Sequence, residues 1–360
     1  MDENLRRVFD QVKPSGEQKE AMLDRLLESE RKGRPMRKLK KLTVIGIAAA
    51  LMIVTCAAAV VTGIDQRLLD FMGWGRQAQE LLAPGAMPVD VTVEDNGASL
   101  HVSQVLRDRY SVLLLADFTA PEGTVLETDT GDDPFITFSG APPELLDGDG
   151  TPVSNEHAFG WNLVVLEDED PEDNRLSLLF TVEMMDGIGE EVRAISLSNA
   201  DLIRFDAGRE ESVTLYAGNW SCEVPLPQND TGWSQYSGTV LELPDAVVYE
   251  RGIYLSPMSL EFTLGMEESL PIAEKHRVQR LYFYPDTIML TDQAGREISL
   301  GPDGSGSGTT DETRWLFQLP EIIDPSRFQG GTLTLVLGGQ TFAIPLDDLA
   351  PAGSVPSSQN

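Results

Sequence analysis

The feature that most limits what this chain can become is a run of 22 residues without a charge, Leu42 to Gly63, reading LTVIGIAAALMIVTCAAAVVTG. As a helix at ~1.5 Å per residue it extends ~33 Å, enough to cross a hydrocarbon core of ~30 Å. Lipid offers the backbone no hydrogen-bonding partner, so a spanning segment of this kind must be helical. Arg31, Lys32, Arg34, Arg37, Lys38, Lys40 and Lys41 precede the run, and only Asp65, Gln66 and Arg67 follow it closely. The positive-inside rule therefore places residues 1–41 in the cytoplasm and the rest outside the cell membrane. A cleaved signal peptide does not suit the pattern, because its apolar core is shorter, about 7–15 residues, and lies behind a short leader. Thr55 directly before Cys56 likewise does not suit a lipoprotein cleavage site. The expectation is one uncleaved span, 42–63, with the bilayer as the first partner.

Charge divides at this span. The chain carries 58 Asp and Glu against 27 Lys and Arg, a net charge of −31 over 360 residues. Residues 1–41 hold 12 basic and 8 acidic side chains, a charge of +4, which leaves −35 for the other 319 residues. Such an acidic exterior argues against nucleic acid, whose phosphates are bound through clustered Lys and Arg. The two cysteines, Cys56 inside the span and Cys222 outside it, cannot meet, so no intrachain disulfide is expected.

The cytoplasmic segment reads as two short helices. Leu5, Val8, Phe9 and Val12 recur at spacings of three and four ahead of Pro14. Ser15-Gly16-Glu17-Gln18 has the form of a capping box, and Met22, Leu23, Leu26 and Leu27 form a second stripe. Forty-one residues cannot bury a sizeable core alone. These eight apolar residues are the candidate partner-binding set, facing either a cytoplasmic protein or the anionic membrane surface.

Beyond the span, Leu68, Leu69, Phe71, Met72, Trp74, Leu81 and Leu82 suggest a juxtamembrane helix over 64–87 with an interfacial Trp. From Val89 the pattern becomes short alternating runs of Val, Leu, Thr and Phe between Gly, Pro, Asn and Asp, which is strand and hairpin chemistry. The chain also resembles itself. Leu100–Thr119 lies on Ala246–Leu264 with Phe118 answering Phe262, and Phe135–Phe138 lies on Leu281–Tyr284. Asp147 answers Asp292 at an offset of 145, Leu176–Val182 answers Trp315–Leu319, and Trp220–Leu226 answers Gln340–Leu346. The expected fold is mainly β: one transmembrane helix after a short helical cytoplasmic segment, then two tandem antiparallel β-sandwich domains, 88–227 and 238–350. Residues 228–237 are the expected linker and 351–360 a disordered tail.

No enzyme motif is present. His101, His157 and His276 are isolated, without metal-ligand spacing, and there is no nucleophile elbow. Gly304–Gly308 has flexible-loop composition. Asp147-Gly148-Asp149-Gly150 lacks the register of a calcium loop, and a turn in which Asp bonds its own backbone is the simpler account. Neither a cofactor nor a metal is expected, and no extracytoplasmic ligand is indicated.

The amphipathic start ENLRRVFDQVKPSGEQKEAMLDRLL, the basic run before one span, the strand region VTVEDNGASLHVSQVLRDRYSVLLLADFT and the later segment IYLSPMSLEFTL with Ser256-Pro257 together resemble a family of Gram-positive bacterial single-pass membrane proteins. These carry a post-membrane domain of unknown function and are often described as anti-sigma factors of the extracytoplasmic-function type. The resemblance implies a cytoplasmic segment that sequesters a sigma factor, joined through the span to a β module that senses an envelope condition; residues 1–41 depart from many such segments in having no His or Cys to bind zinc. The alternative is an envelope structural or adhesive protein for which the basic segment is only an anchor.

Overall fold

The computed structural model describes residues 64–72, 78–126, 135–153, 159–166, 173–206, 211–301 and 304–352. The expected cytoplasmic segment and span, the candidate partner-binding residues among them, lie outside the described residues. Among the described residues no helix is long and apolar enough to cross a membrane.

The structure is mainly β, in antiparallel sheets. Two short helices, α1 (Gln66–Phe71) and α2 (Ala78–Leu82), lead into a first set of strands: β1 (Ala86–Asp95), β2 (Ala98–Arg107), β3 (Ser111–Thr119), β4 (Phe135–Phe138), β5 (Glu144–Leu146), β6 (Phe159–Val165), β7 (Arg175–Met184), β8 (Ala194–Leu197), β9 (Leu202–Asp206), β10 (Glu211–Tyr216) and β11 (Cys222–Pro225). The second set is β12 (Trp233–Gln235), β13 (Val240–Leu243), β14 (Ala246–Leu255), β15 (Ser259–Gly265), helix α3 (Ile272–Tyr282), β16 (Thr287–Thr291), β17 (Glu297–Leu300), β18 (Ser305–Gly308), β19 (Glu312–Gln318), β20 (Thr332–Leu337), β21 (Gln340–Pro345) and β22 (Ala350–Pro351). No sheet mixes strands of the two sets, called here the first and second modules.

The large sheet of the first module has the order β1-β2-β3-β7-β6. In the second, β18-β19-β15-β14 continues to β13 and β12, which pair with opposite ends of β14. Smaller sheets complete each module: β10-β9-β4 and β11-β8-β5 in one, β17-β16-β20-β21 in the other. Alternation drives this layering, because period-two side chains put one face of each strand into a core. Phe118, Phe138, Phe180 and Trp220 anchor the first core, and Phe262, Phe317, Leu290 and Ile344 the second.

The modules share backbone detail that reveals duplication more finely than the sequence does. Each central hairpin has a bulge, at Ser103 in β2 and Arg251 in β14. Each is closed alike: Asp108 N–H donates to the Ser111 carbonyl at 3.0 Å, and Ser256 N–H to Ser259 at 2.9 Å. Beyond them, Met184 N–H bonds Tyr110 O and Leu319 N–H bonds Met258 O, both at 2.8 Å. These features equate Asp108 with Ser256, Tyr110 with Met258 and Met184 with Leu319. Leu114, not Phe118, thus answers Phe262, and within Leu176–Val182 it is Phe180 that answers Trp315. For the central hairpin the sequence comparison therefore named the right strands with a register four residues out, an even shift that leaves every side chain on the same face. Trp220–Leu226, by contrast, does answer Gln340–Leu346, with Val224 paired to Ile195 as Ile344 is to Leu333. Asp147 does answer Asp292. Asp147 Oδ1 accepts the N–H of Asp149 and Thr151, while Asp292 Oδ1 accepts that of Ala294 and Arg296. Both turns close on a glycine with positive φ, Gly150 at 76° and Gly295 at 80°. Leu281–Tyr284, however, closes and follows helix α3 and has no strand like Phe135–Phe138 to match.

Three further expectations are corrected. Trp233–Gln235, within the expected linker, pairs with β14, and Pro351, the first residue of the expected tail, pairs with β12 beside Ala350. Over 64–87, a single juxtamembrane helix gives way to α1, α2, a 3-10 turn at Ala83–Gly85 and the first residues of β1. The physical reason is that the large sheet of the first module is apolar on its outer face as well. Leu106, Leu113, Leu115 and Leu179 form a buried cluster with Ile64, Leu68, Leu69 and Leu82. Burying each such Leu contributes about 1.5–3 kcal/mol. Polar ties fix the angle: Asp65 N–H donates to Gln104 Oε1 at 2.9 Å, and Arg67 reaches Asp117 at 2.6 Å and Ser177 at 2.8 Å.

Candidate functional site

The eight candidate partner-binding residues, Leu5 to Leu27, lie outside the described residues, so the structure brings none of them together. What it does bring together is a polar junction between the modules. The tip of the β2–β3 hairpin, Asp108-Arg109-Tyr110, meets the tip of β14–β15 and the outer face of the second large sheet. Asp108 is completely buried, and its carboxylate accepts from Tyr110 N–H, Ser111 N–H, Ser256 Oγ and Ser259 Oγ at 2.6–2.8 Å. Burial pushes its pKa up while these donors pull it down, and burial dominates. Arg109 pairs with Asp230 at 2.8 Å and lies over the Tyr254 ring, 4.6 Å from its centroid. Tyr254 donates its hydroxyl to Asp230 at 2.7 Å.

The outer faces of the two large sheets differ in chemistry at equivalent positions. Leu106, Leu113, Leu115 and Leu179, covered by α1 and α2, are answered by Tyr254, Glu261, Thr263 and Arg314. Over this polar face lies a cavity of about 660 Å³, lined also by Arg109, Tyr110, Ser234 and Arg251. Glu261 is 4% exposed. Thr263 Oγ1 donates to it at 2.8 Å, Tyr110 of the first module donates its hydroxyl at 3.2 Å, and the Arg314 guanidinium stands 3.2 Å away. Burial outweighs these favourable contacts and pushes the Glu261 carboxyl up to about 7. Chemically, this site can take up and release a proton near neutrality while holding both modules. Sequence reading missed Asp108, Tyr110, Glu261 and Arg314. Comparing the copies in the register set by the bulges would have exposed Glu261 as a carboxylate standing where the other copy has Leu113.

A second cleft of about 830 Å³ is lined by Arg107, Arg109 and Arg193 together with Asp108, Asp186, Glu190 and Asp230, a mixture of both signs. Arg107 is buried and donates to the carbonyls of Pro227, Ile188 and Gly189, joining the end of the first module to the loop after β7. Among the described residues no group of His, Cys, Asp and Glu is placed to hold a metal. Burial, aided by Glu223, pushes the Cys222 thiol up to about 11, which makes it a poor nucleophile.

No family model and no curated protein matches this chain. A solved structure described as the crystal structure of the conserved domain protein from Bacillus anthracis aligns with 69% of this chain and 78% of its own length, at a TM-score of 0.43 and 16% identity.

Proposed function

We propose that this chain is a bitopic, non-enzymatic regulator of the cell membrane, of anti-sigma-factor type. Residues 1–41 hold a cytoplasmic sigma factor through Leu5, Val8, Phe9, Val12, Met22, Leu23, Leu26 and Leu27, occluding it from RNA polymerase. Residues 42–63 span the bilayer, and two tandem β-sandwich domains outside respond to an envelope condition. The observation that supports this reading best is how the chain leaves the apolar run. Gly63 ends that run, and the next residue, Ile64, is buried at 5% exposure, with Asp65 bonded to Gln104 of β2. Among the described residues the chain is tied to the sheet from Ile64 onward, so in this reading a change in the β modules is passed toward the proposed span. A signal then shifts the inhibitor's state only in so far as it binds one conformation better than the other.

The test is co-purification of the full-length protein from its own cells, with the bound material probed for a small sigma factor. Binding is expected, and Leu23→Asp with Leu26→Asp should abolish it. If no sigma factor co-purifies, or the double variant binds as well as wild type, the envelope structural reading replaces this one.

A further inference from the structure

Two duplicated modules can be joined in many ways, and most bring unlike surfaces together. A two-fold relation leaves a recognisable mark: residues near the axis touch their own counterparts, and every other contact occurs twice with the partners exchanged. With the counterparts fixed by bulges and turns, the junction shows this mark. Asp108 and Ser256 are counterparts, and Ser256 Oγ donates to Asp108 Oδ2 at 2.6 Å. Glu183 and Gln318 are counterparts, each the residue just before the strand-end bond to the hairpin tip, and Gln318 Nε2 donates to Glu183 Oε1 at 2.6 Å. The tips also exchange. Tyr110 packs edge-on against Tyr254 at 5.1 Å, and its counterpart Met258 joins the buried cluster around Leu106, the counterpart of Tyr254.

We infer that the two modules are joined as an internal isologous dimer, so that the surface around Asp108 and Ser256 is a self-complementary docking surface whose fitting partner is a second copy of the same module, here supplied by the same chain. The two-fold axis runs through the Asp108–Ser256 and Glu183–Gln318 contacts. The module pair is therefore one body held by a buried interface, to which the intervening residues 228–232 add the contacts of Asp230 with Arg109 and Tyr254. Two-fold symmetry also explains why a buried serine stands at 111. It is the counterpart of Ser259, which donates to Asp108 at 2.6 Å.

The relation makes an uncommon demand: exchanging the two axial residues should preserve the site. In the double variant Asp108→Ser, Ser256→Asp, the new carboxylate would accept the N–H groups of Met258 and Ser259 in its own turn, which Ser256 Oγ already accepts at 3.0 and 2.8 Å. It would also receive hydroxyls from Ser111 and from the serine installed at 108. Thermal unfolding of the full-length protein in detergent reads the outcome. Asp108→Ser alone removes the carboxylate to which two buried hydroxyls donate, and Ser256→Asp alone sets two buried carboxylates together, so each should lower Tm by roughly 5–10 °C. The exchange should recover at least half of the larger loss. An exchanged variant that fails to fold, or is no more stable than the worse single variant, overturns the inference. At the more exposed axial pair, Gln318→Glu alone should lower Tm, and adding Glu183→Gln should restore it. A double variant there that stays as low as the single also overturns it.

Discussion

Glu261→Gln should make stability at the module junction independent of pH over a range where the wild-type protein is sensitive. The carboxyl moves from 4.5 in the unfolded chain to about 7 in the fold, through burial. Between those values the folded state keeps a proton that the unfolded state has released, so the folded form binds more protons and stability falls as pH rises. Below 4.5 the group contributes no penalty, and above about 7 the penalty is complete, at ~3 kcal/mol by the usual conversion of a pKa shift. Gln removes the ionisation and keeps one acceptor for Thr263 or Tyr110, at a cost of ~1 kcal/mol for the bond that is lost. The two stability curves should therefore cross: the variant slightly less stable near pH 4.5, and ~2 kcal/mol more stable at pH 8. Guanidinium unfolding followed by tryptophan fluorescence, repeated from pH 4.5 to pH 8, measures the difference directly. A difference that stays constant to within ~0.5 kcal/mol across that range would refute the reasoning, because a group that does not titrate differently in the two states cannot change its slope.

Leu69→Asp puts a carboxylate into the completely buried contact between α1 and the first large sheet. It should cost ~3–5 kcal/mol and accelerate tryptic cleavage after Arg67 by roughly tenfold or more, with the β modules still folded; an unchanged cleavage rate argues against docking. Cys222, with its thiol near 11, should carry roughly one thiolate per 3,000 molecules at pH 7.5 and react with a disulfide reagent about a hundredfold or more slower than a free peptide thiol. Labelling at the peptide rate contradicts the burial assigned to it.

Strand identity was legible because period-two alternation survives divergence: the segments LHVSQVLRDRYSVLLLADFT and AVVYERGIYLSPMSLEFTL were matched as equivalent hairpins, as their bulges and closing bonds demonstrate. The Asp147 and Asp292 turns were legible for a different reason, since Asp followed three residues later by Gly encodes a particular backbone shape. Register in the central hairpin was not legible. Phe118 and Phe262 look alike, but a pattern of period two aligns equally well at any even shift, and only the bulges fix the true one. The fate of Leu68, Leu69 and Leu82 was likewise hidden. An apolar stripe after a membrane-like run fits a lipid interface and a sheet face equally, and the choice is made by Leu106, Leu113, Leu115 and Leu179, more than twenty residues away. The junction residues escaped because Asp108, Tyr110 and Glu261 acquire their meaning only from each other. A single Glu in SLEFTL reads as a solvated strand position until Tyr110 and Arg314 are placed around it.

The docking of α1 also bears on proteolysis. A protease needs an extended, unpaired stretch of chain, and Ile64 to Leu69 is neither extended nor free: Leu68 and Leu69 are buried, Asp65 caps the helix, and Arg67 is tied to β3 and β7. Cutting there must wait for the segment to lift from the sheet, so the rate follows the population of that opened form. The stem of the β body is its own latch, and whatever loosens α1 from Asp117 and Ser177 sets how often the latch is open.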